Sequence, residues 1–412
     1  MKTFRFKSIG LMLLSFVLAV SLGACGSQNA SDSAGSSSQE GQTSSYGSNS
    51  ADNLSTDRDI SSSLTFQKEE KTDYAEQFSI YDYENGYKLI NISDGTRYLA
   101  VPEGASAPPD LDSDIVVLQQ PVEHIYLAAS AAMDMFASMD AVDTIDFSGE
   151  KEENWYISEA AEAMKEGRMS YAGKYNTPDY ELLLDGGCDL AIENTMILHT
   201  PEVREKLIET GIPVIVDHSS YETHPLGRTE WIKLYGAITG HESEAESAYN
   251  DQKKQYEEAA SGSSGSSESE KCTVAYFSVN SNGAASVRKS DDYVPEMIAA
   301  AGGKYIPDDL TDGKHTSTTT LSIEEFYKRA HDADILVYNS AIEGSVSSID
   351  DLLKKAPSLK NFKAVKSGNV WCTSQNMYQA SMEAGTITAD FHSIITDHDV
   401  PDSSLTYLKK LK

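Results

Sequence analysis

The chain has 412 residues, which is long enough for two ordinary domains, and 64 acidic against 33 basic residues give it a formal net charge of −31. This charge argues against nucleic-acid binding, because affinity for phosphates depends on Lys and Arg. The excess acid favours solubility at a crowded surface. Four Cys residues at wide spacing contain no CxxC pair, which argues against a zinc knuckle or a disulfide scaffold. A bridge between Cys272 and Cys372 stays open.

The first residues have the pattern of a secretory signal. Lys2, Arg5 and Lys7 precede an apolar stretch from Ile9 to Leu22 that is too short for a comfortable membrane span. It ends in Leu-Gly-Ala-Cys, which resembles the bacterial lipoprotein lipobox. The resemblance implies a signal peptide over residues 1–24 and acylation of Cys25. Acyl chains would then anchor the protein outside the cytoplasm on the cell membrane.

Residues 25–65 are rich in Ser, Gly, Asn and Asp and predict a flexible tether. Residues 66–110 predict a small β extension. Its Asn85-Gly86 and Asp94-Gly95 dipeptides lie between β-forming runs, and these are strong hairpin signals. The function of this extension does not follow from its residues.

Residues 111–240 alternate between strand and helix patterns, which predicts a lobe with a mostly parallel sheet covered on both faces. The predicted strands are Ile115–Leu118, Ile125–Leu127, Thr144–Phe147, Asp189–Ile192 and Val214–Val216. The predicted helices are Ser130–Met139, Ser158–Lys165, Tyr180–Asp185 and Pro201–Glu209.

Residues 241–262 predict one long helix that bridges two lobes. Ser243 and Glu246 have capping-box spacing, and the helix is polar on nearly every side. Residues 263–412 repeat the α/β pattern and predict a second lobe. Its predicted strands are Val274–Phe277, Ile335–Tyr338 and Asn369–Cys372, and its predicted helices are Asp292–Ala301, Ile323–Arg329 and Ile387–Ile395.

Several stretches of the first lobe carry a resemblance to a known family. They are Ile-Tyr-Leu-Ala-Ala from Ile125, Gly173, Glu-Leu-Leu-Leu from Glu181, Asp-Leu-Ala-Ile from Asp189 and Ile-Pro-Val-Ile-Val from Ile212. From Ile115 to the end, the chain resembles the substrate-binding lipoproteins of ABC importers for iron–siderophores, haem and vitamin B12. The resemblance implies two α/β lobes joined by a single long helix. It also implies a monomer that works with a membrane permease and its ATPase, without enzymatic activity or an intrinsic cofactor.

Members of that family present one glutamate on each lobe to the permease. By the resemblance, Glu181 has this role on the first lobe, and Glu324 or Glu325 has it on the second. We prefer Glu324. The family's usual Pro before the strand Asp is replaced here by Cys188 and Ala333, a departure that concerns the ends of the helices.

Ligands of such sheets bind in the crevice beyond the carboxyl ends of the strands. The loops there supply the candidate ligand-binding residues Trp155, Tyr156, Lys174, Tyr175, Asn194, Tyr221, Arg288 and Asn339. Aromatic rings suit a large planar or apolar face, and Arg288 offers a forked donor for carboxylate or catecholate oxygens. We therefore expect a ferric siderophore, haem or cobalamin.

Three alternatives stay open. A free metal ion would need three or four converging ligands, whereas the nine His residues are scattered and His218 is the best isolated candidate. An enzyme would need a catalytic constellation, but the chain lacks GxSxG, HExxH, P-loop and Rossmann glycine motifs. A surface adhesin would share the lipid anchor and use the β extension to hold a host component.

Overall fold

The computed structural model describes residues 54–261, 271–311 and 317–412, and these residues belong to one compact unit. The predicted signal peptide, Cys25 and most of the predicted tether lie outside the described residues. Within the described ranges, none of the helices combines the length and apolar character that a membrane span requires.

A five-stranded sheet comes first, and we call it the N-terminal sheet. Its strands are β1 Phe66–Glu70, β2 Phe78–Tyr83, β3 Lys88–Ile92, β4 Arg97–Val101 and β5 Ile115–Gln119. Strands β2 to β4 form the predicted antiparallel meander, and β1 adds an antiparallel strand that was not predicted. Asn85 and Gly86 turn the chain between β2 and β3 with φ values of 63° and 84°, which Asn and Gly tolerate best.

Two predictions about this region need correction. Strand β5 pairs in parallel with β4, so Ile115 to Gln119 belong to the N-terminal sheet and not to the first lobe. Residues 54–65 were predicted as tether, but they pack on the sheet because Ile60 supplies a buried apolar anchor. The extension is therefore larger than predicted at both ends.

The first lobe has a parallel sheet in the order β12-β11-β6-β7-β8. Its strands are β6 Ile125–Leu127, β7 Ile145–Ser148, β8 Ser170–Tyr171, β11 Leu190–Asn194 and β12 Val214–Asp217, and β9 Gly173–Lys174 and β10 Thr177–Pro178 form a separate hairpin. Its helices are α1 Met133–Ser138, α2 Ser158–Lys165, α3 Tyr180–Asp185, α4 Pro201–Glu209, α5 Pro225–Glu230 and α6 Ile232–Thr239. Asp179 caps α3 and Pro201 opens α4, so these helices begin where the sequence predicts.

Two buried carboxylates fasten the N-terminal sheet to the first lobe. Glu230, which is 0% exposed, accepts hydrogen bonds of 2.8–3.0 Å from the backbone amides of Asp73, Tyr74 and Ala75, and Lys233 also donates to it. Glu222 accepts from the next two backbone amides and from the indole of Trp231. We call this contact, residues 73–77 on Glu222 and Glu230, the N-terminal seam.

The bridging helix is α7, Glu242–Ser261. It begins one residue before Ser243, whose hydroxyl bonds to Glu244, so the predicted capping box does not form. Ala245, Tyr249 and Tyr256 are buried, as their apolar spacing suggests. The helix also packs closely on the C-terminal helix, since a Cβ on Gly385 would lie 2.5 Å from Cβ of Gln255.

The second lobe has a seven-stranded sheet in the order β16-β14-β13-β17-β18-β19, with β15 also paired to β13. Its strands are β13 Thr273–Val279, β14 Ala285–Arg288, β15 Lys304–Tyr305, β16 Thr318–Leu321, β17 Ile335–Tyr338, β18 Val370–Thr373 and β19 Leu408–Lys410. Its helices are α8 Tyr293–Ala300, α9 Ile323–Ala330, α10 Ile349–Lys355, α11 Lys363–Ser367 and α12 Ala384–Thr396. The centre is parallel, but β14, β16 and β19 are antiparallel, so this sheet is less parallel than predicted.

Candidate functional site

A cavity of about 320 Å³ lies between the lobes, and we call it the cleft cavity. Ser220 and Arg228 line it from the first lobe, whereas Arg288, Asn339 and Tyr378 are among the second-lobe residues that line it. The crevice argument therefore identified the right region for Asn339, which directly follows the parallel strand β17, whereas Arg288 ends the antiparallel strand β14 and lies level with the middle of β13.

Two arginines hold one tyrosine ring in this cavity. The guanidinium carbons of Arg228 and Arg288 lie 4.9 Å and 5.3 Å from the centre of the Tyr293 ring. Arg228 also donates a 2.7 Å hydrogen bond to the Tyr293 hydroxyl. Such cation–π contacts orient the guanidinium planes while leaving donors free. The Nε groups of both arginines are buried and have no hydrogen-bond partner in the described part of the chain.

The charge of the cleft cavity is opposite to that of the chain. No Asp or Glu is among the described residues that line it, although the whole chain carries a formal charge of −31. Arg288 forms a 3.3 Å ion pair with Asp292, which does not line the cavity. Burial opposes the charge on Arg288, but Asp292 and the neighbouring tyrosines outweigh it, and the pKa of Arg288 is raised. The cavity is therefore suited to an anion.

Three further ligand-binding candidates lie in the cleft cavity, next to one of its residues in the chain, or in a second cavity. They are Asn339, Tyr221 and Tyr156, respectively. Asn339 lines the cleft cavity, and its side-chain oxygen accepts a 3.1 Å bond from the Ala341 amide. Tyr221 follows the cavity residue Ser220, and its ring lies 5.3 Å from that of His218. Tyr156 lines a second cavity of about 290 Å³.

Besides Tyr156 and Tyr221, four more of the eight candidates lie outside the cleft cavity. Trp155 is buried, and its indole donates to Ser148, so the structure gives it a packing role. Asn194 accepts from the Met196 amide and donates to the Ala128 carbonyl. Lys174 is exposed on the β9–β10 hairpin, and the ring of Tyr175 packs half-buried on the core below.

Sequence reasoning missed Arg228, Tyr293 and Gln379. Arg228 lies close to the apolar residues Leu226 and Trp231, and a basic residue in such a stretch needs a partner or a cavity. Tyr293 directly follows Asp292, the N-cap of α8, so the sequence could place it at the start of the helix. The sequence could not show that its ring faces the cavity. Gln379 makes contacts between the lobes, which no local pattern reveals.

The predicted docking residues have the exposure that their role needs. Glu181 is exposed in the first turn of α3, and Glu324 is exposed in the first turn of α9. Glu325 instead pairs with Arg329 at 2.6 Å. Neither Glu181 nor Glu324 has an ion-pair partner among the described residues. This difference supports the preference for Glu324 over Glu325.

One buried carboxyl lies outside both the seam and the cleft cavity. Glu193 in β11 is 0% exposed, and neither of its oxygens has a hydrogen-bond partner within the described ranges. Burial raises its pKa to about 8. Such a group favours the protonated form because nothing compensates a charge there.

The described residues contain neither a candidate metal site nor a disulfide. In the part of the chain that the structure describes, no group of three or more His, Cys, Asp or Glu residues could hold a metal ion. Cys188, Cys272 and Cys372 are free thiols, so the bridge that stayed open between Cys272 and Cys372 is not formed.

Comparisons with known proteins agree with this architecture. A family model for periplasmic binding proteins matches residues 152–376, more than half of the chain. Two uncharacterised lipoproteins of Methanocaldococcus jannaschii are similar. One is 24% identical over 328 residues, which cover 75% of each chain. The other is 27% identical over 353 residues, which cover 82% of this chain and 86% of the relative.

Solved structures share the fold. A periplasmic solute-binding protein of Staphylococcus epidermidis, described as a possible iron-binding protein, has a TM-score of 0.52 at 16% identity, and the match covers 67% of this chain and 100% of that one. The periplasmic haem-binding protein HutB of Vibrio cholerae has a TM-score of 0.52 at 18% identity and covers 65% and 97%. These relatives are solute-binding proteins and not enzymes. The predicted α/β architecture is confirmed, and the chain belongs to the periplasmic binding protein family.

Proposed function

We propose that this protein is the substrate-binding component of an ABC importer. It captures an anionic metal chelate or a tetrapyrrole-like cofactor between its lobes and delivers it to a membrane permease, whose ATPase drives transport. The observation that carries the proposal is the cleft cavity, which has two arginines and no described acidic residue in its lining within a strongly acidic chain. Guanidinium groups bind carboxylate and catecholate oxygens through paired hydrogen bonds.

The apolar character of the strand ends supports the same function. Eight large hydrophobic residues are exposed among the described residues, and four of them lie at or after the carboxyl ends of strands: Tyr156, Tyr171, Met196 and Ile342. Exposed apolar side chains that flank a cleft are typical of a ligand site. They suit the organic shell of a chelate better than they suit a bare ion.

The location of the protein follows from its first residues. Acylation of Cys25 would hold it on the outer face of the cell membrane, where it meets both ligand and permease. The lipoprotein names of the two archaeal relatives support this proposal.

A direct binding experiment tests the function. The protein is titrated with haemin, cyanocobalamin and a set of ferric siderophores, including ferric citrate, and binding is followed by tryptophan quenching and absorbance. We expect a saturable submicromolar response to at least one of them. Silence across the set, with the protein folded, would contradict the proposal and favour a free metal ion or an adhesin.

The permease contact is tested separately. Reversing the charge in Glu181→Lys with Glu324→Lys should abolish uptake and leave ligand affinity unchanged, because both residues lie outside the cleft cavity. The matched control is Glu202→Lys with Asp350→Lys, which makes the same charge change in the first turns of α4 and α10. Loss of ligand affinity in the first pair, or equal loss of uptake in the control, would refute the docking role.

A further inference from the structure

The side chain of Gln379 joins the two lobes. It is 1% exposed and ends the short segment that follows β18 in the second lobe. Its Oε1 accepts a 2.9 Å hydrogen bond from the backbone amide of Tyr156, and its Nε2 donates a 3.0 Å bond to the carbonyl of Asn154. One amide group thus satisfies a donor and an acceptor of the first-lobe backbone, as a neighbouring strand would.

An aromatic pair extends this contact. The rings of Tyr156 and Tyr378 meet edge to face across the lobes, with centres 6.3 Å apart. Gln379 also donates to the Tyr378 hydroxyl at 2.8 Å, which fixes that ring. We call Asn154, Tyr156, Tyr378 and Gln379 the interlobe latch.

The latch stands between two cavities. Met377 and Tyr378 line the cleft cavity of about 320 Å³. Tyr156, Asn376, Gln379 and Ala380 line the neighbouring cavity of about 290 Å³. Both spaces therefore border the same stretch, residues 376–380, which contains the latch residues Tyr378 and Gln379.

The latch is held by neutral hydrogen bonds, which are weaker than charge-assisted ones and can be exchanged for water when they open. Residues 381–382 make two further contacts with the first lobe, one of them to a carboxyl group. The Met382 amide donates a 2.7 Å bond to the carboxyl of Asp134, and the Ser381 hydroxyl donates a 2.6 Å bond to the Ala131 carbonyl. The lobes would thus stay joined at residues 381–382 while the latch opens.

From this geometry we infer that Gln379 determines which ligands enter. With the latch closed, the cleft cavity holds a compact anionic chelate and excludes a tetrapyrrole; with the latch open, the two cavities merge. This inference rests on the proposed function, since it assumes that the cleft cavity is the ligand site.

The test compares the full chain with Gln379→Met, which keeps the length of the side chain and loses its hydrogen bonds. Ferric citrate serves as the compact probe and haemin as the large probe. Haemin should bind Gln379→Met at least tenfold more tightly than the unaltered chain, and the ferric citrate Kd should change less than threefold. Gln375→Met is the matched control, because Gln375 is exposed in the same segment and should change neither Kd.

Hydrogen exchange gives a readout that needs no ligand. In Gln379→Met, a peptide that spans residues 154–158 should exchange faster, since the Tyr156 amide loses its acceptor. Gln379→Glu keeps the acceptor for the Tyr156 amide and loses the donor to the Asn154 carbonyl. Its exchange at residues 154–158 should therefore be faster than in the unaltered chain and slower than in Gln379→Met. Thermal unfolding shows that each variant is folded.

The outcomes separate the inference from the proposed function. Unchanged exchange at residues 154–158, or faster exchange with an unchanged haemin Kd, would overturn the latch alone. Tight binding of haemin to the unaltered chain would also overturn the latch and would support the proposed function. Failure of both probes to bind any variant would overturn the inference, and silence across the wider set of siderophores and cobalamin would overturn the proposed function with it.

Discussion

The N-terminal seam and the cleft cavity both contain buried charged side chains, but these side chains differ in how far their hydrogen-bonding groups are satisfied within the described residues. At the N-terminal seam, Glu230 is fully buried and accepts three backbone amides and a lysine, so its bonding capacity is used. In the cleft cavity, Arg228 and Arg288 are held by aromatic rings and keep buried Nε donors without partners in the described residues. A buried charge with all partners inside the chain fixes structure. A positive charge that lines a cavity without a described acidic residue in the lining suits an anionic ligand.

The seam predicts the largest effect. Glu230→Ala would leave Lys233 and three backbone amides without their acceptor, and breaking a buried charge pair costs about 3–5 kcal/mol. Urea unfolding should show this loss. Glu246→Ala is the control, because exposed Glu246 contacts the same lysine at 3.4 Å and should change stability by less than about 1 kcal/mol. Equal effects of both variants would mean that the amides contribute nothing.

Glu193 is as fully buried as Glu230, but neither of its carboxyl oxygens has a hydrogen-bond partner in the described ranges. Its pKa is raised from 4.5 to about 8, so the folded state holds a proton that the unfolded state releases. This contribution to stability is complete below about pH 4.5 and is lost as the pH rises through about 8. Between pH 5 and pH 8, this pKa shift corresponds to a loss of roughly 3–4 kcal/mol in the free energy of unfolding.

Glu193→Gln should remove that pH dependence and be more stable than the unaltered protein at pH 8. Urea unfolding at pH 5 and pH 8 measures both quantities. Burial raises the pKa of Tyr126 and Tyr180, and the nearby Glu193 carboxyl raises it further. A loss of stability in Glu193→Gln at pH 8 would show that the carboxylate has a partner after all.

The cleft predicts a smaller effect, and on affinity instead of stability. Arg288→Ala and Arg228→Ala should each weaken ferric citrate by about 1.5–3 kcal/mol, the range for hydrogen bonds to charged groups. Fluorescence titration measures the change. Arg168→Ala is the control, because Arg168 is exposed and pairs with Glu166 and Asp143 outside the cleft cavity. An unchanged dissociation constant in either cleft variant would remove that arginine from the ligand site.

Local signals explain what the sequence could predict. Helices α2, α3 and α4 have the predicted bounds because caps and apolar spacing act within a few residues. Strand β5 was assigned to the wrong sheet because its pairing with β4 depends on tertiary structure and not on its own residues. Strands β14 and β16 escaped prediction because each has only four residues and neither has the apolar run of a central strand.

The same distinction holds for the site. Asn339 could be predicted because the carboxyl ends of parallel strands meet at one edge of a sheet, whereas Arg288 ends an antiparallel strand, to which this argument does not apply. Arg228 and Gln379 could not, since their partners Tyr293 and Tyr156 are 65 and 223 residues away along the chain. Trp155 follows a strand as a ligand contact would, but its indole turns inward to Ser148.

Hydrogen exchange with and without ligand tests the central claim most directly. Ferric citrate and haemin are added in turn to the folded protein, and exchange is compared along the chain. Whichever probe binds should slow exchange at residues 276–288 and 339–342, which border the cleft cavity, and leave residues 73–77 of the seam unchanged. Slower exchange confined to the seam or to other surfaces would contradict the assignment of the cleft cavity as the ligand site.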